Sequence, residues 1–258
     1  MALLSSASRS SRSSARSRMF TASTGVRFRF GPRRGDCPEA QVVPLGGGLL
    51  DRPSVAEVVD HVRTHGYDTI LTSALTPDEQ RPFLDAGFRT EEDLYLLLAD
   101  PRPVDGSTTR RHGSRTTSRM RRRDLSRVLD IDAAAFSAFW RFDRMAFEEA
   151  RTATPSCRRR VVSVGGPTRR KVVGYAVTGR SGDQGYLQRL AVDPDQQGRG
   201  IGRMLLDDAL HWLAHHGATT VLVNTQPDND PALDLYRSAG FTDRPGGLSV
   251  LRLESRSS

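Results

Sequence analysis

Apolar positions come in two periods along this chain, and glycine or proline separates one period from the next. Residues 26–30 (VRFRF) alternate apolar and polar, as in a half-buried strand. After the glycine-rich LGGGLLDRP, Ser54, Val55, Ala56 and Glu57 read as a capping box. Val55, Val58, Val59 and Val62 then line one helical face, which Gly66 ends. DTILTSAL reads as a strand. Thr76, Pro77, Asp78 and Glu79 form a second capping box with proline at the first helical position. That helix stops at Gly87-Phe88, and EDLYLLLA follows as a buried strand.

Residues 101–116 are rich in Pro, Gly, Ser, Thr and Arg, the composition of a linker. Beyond them a short strand leads to a helix opening at Asp124, and the aromatic-rich residues 137–155 read as helical. Residues 158–166 and 170–180 suit a hairpin, and 185–192 a further strand. Ile201, Leu205, Ala209 and Leu213, four apart, predict a helix to about His216, closed by Gly217. A strand (TTVLVN), a helix opening at Asp230-Pro231 and a last strand (LSVLRL) complete the pattern. The two halves echo one another. TPDEQRPFLDAGF aligns with NDPALDLYRSAGF, so that Phe83 falls on Tyr236 and Thr76 on Asn229. The expected organisation is a Ser/Arg-rich disordered tail (1–23), a smaller α/β half (24–100), a linker (101–116) and a main domain (117–258).

Charge refines this reading. The formal net charge is +8, but residues 1–35 hold eight arginines and no acid, and residues 101–123 hold eight more against Asp105 alone. The basic excess sits in tail and linker, which makes a nucleic-acid face unlikely. No apolar run reaches the roughly 18 residues of a membrane span. The start lacks the apolar stretch of a secretory signal, and translation could begin at Met1 or Met19. Cys37 and Cys157 show neither metal-ligand spacing nor a disulfide framework, which favours a reducing, cytoplasmic setting. His211, His215 and His216 lack a further ligand, so no metal site is expected.

The candidate chemistry lies in residues 188–210, QRLAVDPDQQGRGIGRMLLDDAL, where a strand feeds a helix through three glycines. Glycines there permit positive φ and close approach of a ligand to the backbone. The first-turn amides of a helix lack internal partners and sit at the positive end of its dipole, which makes a pyrophosphate cradle. The loop has no Gly-Lys-Ser/Thr and its glycines are G-x-G-x-G, so neither a Walker loop nor a Rossmann fingerprint fits.

Gln197-Gly198-Arg199-Gly200-Ile201-Gly202 resembles the Q/R-x-x-G-x-G/A motif of the GNAT N-acetyltransferases. The preceding LAVDP and the later Asn229, Ala232, Tyr236 and Gly240-Phe241 are similar too, so the resemblance covers residues 117–254. It implies an α/β fold with a mixed, mostly antiparallel, V-splayed central sheet flanked by helices, and a degenerate copy of it in the N-terminal half. It implies acetyl-CoA as co-substrate and an amine acceptor, either a peptide α-amine or a small-molecule amine. By the same resemblance, the main chain of Leu190 and Val192 would hold the pantetheine arm. Gln197, Gly198, Arg199, Gly200, Ile201, Gly202 and Arg203 would hold the pyrophosphate, Asn229 would reach the cofactor, and Tyr236 would be the general acid. The strand before the loop offers Gln188 and Arg189 where many relatives carry a glutamate base. A water relay, Asp143, Glu148 or Glu149 are the alternatives. Phe136, Phe139, Trp140 and Phe142 sit where the family walls the acceptor site. The alternative reading is a non-catalytic acyl-CoA-binding module.

Overall fold

A computed structural model describes residues 17–34, 37–101, 116–166 and 169–254. These fall into two compact units, residues 17–92 with 250–254 and residues 93–249.

The first unit contains β1 (Arg18–Thr21), β2 (Arg27–Pro32), β3 (Glu39–Pro44), α1 (Arg52–Arg63), β4 (Thr69–Thr72) and α2 (Pro77–Asp85). β1, β2 and β3 form an antiparallel meander, and β3 pairs with β4 in parallel across the α1 crossover. The last strand of the chain, β11 (Thr242–Glu254), pairs with β4 through Arg252, Leu253 and Glu254. Phe28, Phe30, Val42, Val55, Val58, Val62, Ile70, Phe83 and Leu251 make the core.

The second unit holds residues 93–99 of β5 (Arg89–Ala99), then β6 (Thr117–Arg119), α3 (Leu125–Ala135), α4 (Arg144–Thr152), β7 (Ser156–Val164), β8 (Lys171–Ser181) and β9 (Gln184–Val192). α5 (Ile201–His215), β10 (Thr220–Thr225), α6 (Asp230–Ser238) and the first part of β11 follow. Its strand order is β5-β10-β9-β8-β7-β6. Every pairing along it is antiparallel except β10 with β9. Residues 172–179 of β8 are buried throughout, as expected of a strand covered on both faces. One face packs Leu205, Leu206, Leu213, Val221 and Leu233 beneath α5 and α6. The other packs Val128, Ile131, Phe147, Tyr175 and Val177 beneath α3 and α4. The mixed, mostly antiparallel architecture is the one expected.

Several boundaries differ from expectation. Residues 18–21 lie in the expected tail but form a strand, held by the ladder to β2 and by Phe20 stacked on His61 at 4.6 Å. α1 begins at Arg52, not Ser54, because Asp51 is the cap: its Oδ1 accepts from the Ser54 N–H at 2.9 Å. Glu57, assigned to that box, instead accepts from the Ser23 N–H. Residues 137–155 are not one helix. Asp132 accepts the Phe142 N–H at 2.6 Å, which pulls residues 136–143 into a loop, and Asp143 caps α4 through the Ala146 N–H. β3, with prolines on both flanks, was not anticipated. The division between units falls at 92/93 rather than 100, with residues 250–254 returned to the first unit. The expected linker lies mostly outside the described residues, as do residues 1–16 of the expected tail.

Candidate active site

β9 and β10 run parallel but pair only where Gln184, Gly185 and Tyr186 meet Thr220, Val221 and Leu222. Further along, the β8–β9 ladder shifts register: Val177 faces Arg189 and Thr178 faces Leu187, so Gln188 is the extra residue of a bulge. A bulge bends its strand and strengthens its twist. A cleft of about 620 Å³ occupies the gap where β9 and β10 part.

The loop after β9 forms one wall. Asp193 is held by Arg127 and accepts from the Asp195 N–H at 3.3 Å, which fixes the start of the turn. Gly198 has φ +70°, and a Cβ there would meet nothing within 4 Å, so the backbone is open to a ligand. Gly200, at φ +74°, is the N-cap of α5 and supplies no capping side chain. The first main-chain bond of the helix is Met204 N–H to Gly200 O, at 3.0 Å. The amides of Ile201, Gly202 and Arg203 precede it and lie at the positive end of the helix. Gly202 has another purpose. Its Cβ would lie 3.3 Å from Leu235, so the third glycine lets α5 pack closely on α6.

Leu190, Val192, Gln197, Gly198, Gly200, Ile201, Gly202, Arg203, Asn229 and Tyr236 all line the cleft. Arg199 does not; it is exposed to solvent. The Arg203 side chain pairs with Asp207 at 2.7 Å. Asn229 caps α6, accepting from the Ala232 N–H at 3.3 Å and donating to Thr225 Oγ1 at 3.1 Å. Its place in the cleft is therefore set by helix capping, a role that resembles that of Thr76.

Tyr236 is 6% exposed and packs against Phe241, with ring centroids 5.7 Å apart. Burial pushes its phenol up to about 12, and the nearby Arg189 guanidinium opposes that rise. A buried phenol of this kind keeps its proton at neutral pH and can donate it.

Of the carboxylates considered as bases, Asp143 caps α4 and Glu148 pairs with Arg151 at 2.5 Å. Neither these two nor Glu149 lines the cleft, which has no carboxylate or imidazole among its described lining residues. Phe136 and Trp140 do line it, Phe139 meets Trp140 edge-on at 4.9 Å, and Phe142 packs over Arg189.

The sequence reading missed the group that organises this wall. Fully buried Asp132 accepts from Arg189 Nε at 2.7 Å and Nη2 at 2.9 Å, and also from the Tyr175 hydroxyl. Phe136 lies 3.4 Å from the Arg189 guanidinium carbon, and Phe142 lies 4.1 Å from it. Burial and the adjacent Asp132 carboxylate hold the Tyr175 phenol well above its ordinary range. A signal existed: Asp132 shares the buried face of α3 with Val128 and Ile131, where a carboxylate needs a cationic partner.

Residues 125–241 match the acetyltransferase (GNAT) family. Over 73 residues the chain is 37% identical to the ribosomal protein bS18 alanine N-acetyltransferase of Salmonella typhimurium, covering 28% of this chain and 49% of that one. Over 57 residues it is 46% identical to the mycothiol acetyltransferase of Thermobifida fusca, covering 22% and 18%. The chain thus spans about half the length of the first relative and under a fifth of the second. A tandem GNAT protein from the clavulanic acid biosynthesis pathway superposes with a TM-score of 0.65 at 14% identity, covering 90% of this chain and 80% of that one. At that identity the likeness shows the fold. Residues 125–241 thus make up a domain of the acetyltransferase (GNAT) family.

Proposed function

We propose that this protein moves an acetyl group from acetyl-CoA to an amine acceptor, by direct transfer while both are bound. The observation that carries the proposal is the convergence, in one cleft, of the uncapped first turn of α5 and the buried Tyr236 phenol. Acetyl-CoA use is general in the family, and the residues present fit it. The Ile201, Gly202 and Arg203 amides offer donors and positive potential to a pyrophosphate. The open backbone at Gly198 admits it, and the Leu190 and Val192 main chain borders the pantetheine path.

When bound, acetyl-CoA supplies the acetyl carbon and leaves as the free thiol. The acceptor nitrogen forms the new N–C bond, the C–S bond breaks, and the nitrogen loses one proton to water. Tyr236 gives its proton to the departing sulfur and regains one from solvent. Arg189 lies close enough to ease that donation, since its positive charge lowers the proton affinity of the phenol. Because the described residues of the cleft lining include no carboxylate or imidazole, the acceptor arrives already deprotonated or passes its proton through water.

The first unit has a supporting role in this reading and holds no cofactor. Phe83 stands where the second unit has Tyr236, and Asp51 closes α1 where Gly200 leaves α5 open. The free thiols of Cys37 and Cys157 suit a reducing cytoplasm. No helix among the described residues is long and apolar enough to cross a membrane.

The test is thiol release from acetyl-CoA with a panel of peptide and small amines, with product mass as the second readout. At least one amine is expected to gain an acetyl group, one thiol per product. Acetyl-CoA binding with no amine acetylated would favour the non-catalytic module.

A further inference from the structure

Two side chains lining the cleft carry buried polar atoms with no partner: Trp140 Nε1 and Gln188 Oε1. Such atoms are rare in folded proteins, and each calls for an explanation. Gln188 is the extra residue of the β9 bulge. Gly179 makes room for its amide, since a Cβ there would fall 2.8 Å from Gln188 Nε2. Beside them is Arg189, whose side chain is only 9% exposed. Its Nε and Nη2 bond to Asp132, and Nη2 also donates to the Trp140 carbonyl at 2.7 Å.

The wall beside Tyr236 therefore offers an unused donor on Trp140 and an unused acceptor on Gln188. Asp132 already balances the arginine charge, so the set does not call for an anion. A peptide group meets both requirements: its carbonyl accepts from Trp140, and its N–H donates to Gln188. A carboxylate cannot donate to Gln188 Oε1, and a plain alkylamine has only its reacting nitrogen to offer.

We infer that the acceptor is an amine followed directly by a peptide bond, and that Trp140 and Gln188 select it by clamping that bond. This inference rests on the acetyl-transfer reading and names its substrate class. Asp132 and Arg189 are positioning residues: Asp132 fixes the guanidinium through two bonds, and the guanidinium holds the Trp140 carbonyl. The clamp is uncharged overall, so it discriminates by hydrogen bonding rather than by net charge. Sites that hydrogen-bond a substrate group reject analogues that lack it.

The experiment compares three acceptors on the full-length protein. They are a hexapeptide with a free α-amine, the same hexapeptide with its first peptide bond replaced by an alkene, and n-butylamine. Wild type is expected to favour the peptide by at least about 100-fold in kcat/KM over either analogue. Trp140→Phe keeps a ring and removes the N–H, and Gln188→Met removes the amide at similar length. Each is expected to raise peptide KM by about tenfold or more while leaving the alkene analogue within twofold. Calorimetry with acetyl-CoA checks that each variant is folded and binds normally. Equal turnover of peptide and alkene by wild type would overturn the clamp while leaving acetyl transfer intact. So would Trp140→Phe and Gln188→Met variants with unchanged peptide KM. Acetyl-CoA binding without acetylation of any amine would overturn the acetyl-transfer reading itself, and the clamp with it.

Discussion

The two units solve the same local problem in opposite ways at the start of α1 and of α5. Each helix follows a glycine-rich loop and crosses between strands. At α1 the cap is Asp51, whose carboxylate takes the Ser54 N–H, while Pro53 has no N–H to offer. Its glycine loop is also filled: a Cβ at Gly48 would fall 2.3 Å from Thr24 O. At α5 the cap is Gly200, the loop is open at Gly198, and the three residues of the uncapped first turn, Ile201, Gly202 and Arg203, line the cleft. The later helices repeat the contrast. Phe83 and Tyr236 both accept, through their carbonyls, from the N–H of a phenylalanine five residues on, Phe88 and Phe241, each at 3.1 Å. Gly87 at φ +94° and Gly240 at φ +90° close these matching ends. The backbones match at these ends, while a phenyl ring stands in the first unit where the second has a phenol. Whether a helix start binds an anion depends on whether its own side chains have already used its amides.

The largest effect is expected from removing the chain before Thr116. A chain beginning at Thr116 loses residues 95–99, which pair with Val221–Thr225 beside the cleft and include the fully buried Leu97. It should show no cooperative thermal transition by circular dichroism. A melt matching the full chain would mean that residues 117–249 fold without that strand.

Exchanging the aromatic pair comes next. Tyr236→Phe should lower kcat by about 100- to 10,000-fold with acetyl-CoA affinity unchanged. The reciprocal Phe83→Tyr should add no activity. It forces a hydroxyl into a fully buried site and should cost about 1–3 kcal/mol, read by urea denaturation. A loss of less than threefold in Tyr236→Phe would reduce that residue to packing.

The pH profile sharpens the same point. Turnover should rise about tenfold per unit up to the acceptor α-amine pKa, near 8, because only the neutral amine attacks. A proton donor works below its own pKa. Burial raises Tyr236 to about 12, so no alkaline fall is expected until the pH approaches that value. A decline centred near 10, with the protein still folded, would show a tyrosine titrating as if exposed.

How much of this was legible varies with the distance over which each feature is decided. The strand, loop and helix of residues 184–215 could be read directly, because periodicity and glycine register are local. The position of Tyr236 followed from its spacing to Gly240-Phe241. The Asp132–Arg189 pair did not, since only the fold brings α3 against β9. The loop at 136–143 was hidden for a related reason. Its aromatics have helical composition, and the carboxylates that end one helix and start the next show their targets only in three dimensions. Asn229 was read as a cofactor contact, but its side chain also caps its helix. β11 serves both units along one continuous run, so no composition shift marks where the first unit resumes.

The smallest effect is at Asp51. Asp51→Ala removes the cap and should destabilise by about 1 kcal/mol, leaving acetyl-CoA affinity unchanged. A second binding event appearing in that variant would mean that the cap alone keeps the first unit empty.

The central claim is that one cleft, at the uncapped start of α5, holds the cofactor. Calorimetric titration of the full-length protein with acetyl-CoA tests it most directly, alongside Gly200→Asp, which sets a carboxylate at the anion-binding end, and a thermal melt of each protein. The account predicts one acetyl-CoA per chain, lost in a Gly200→Asp variant that still melts cooperatively. Two per chain, or unchanged affinity in that variant, would contradict it.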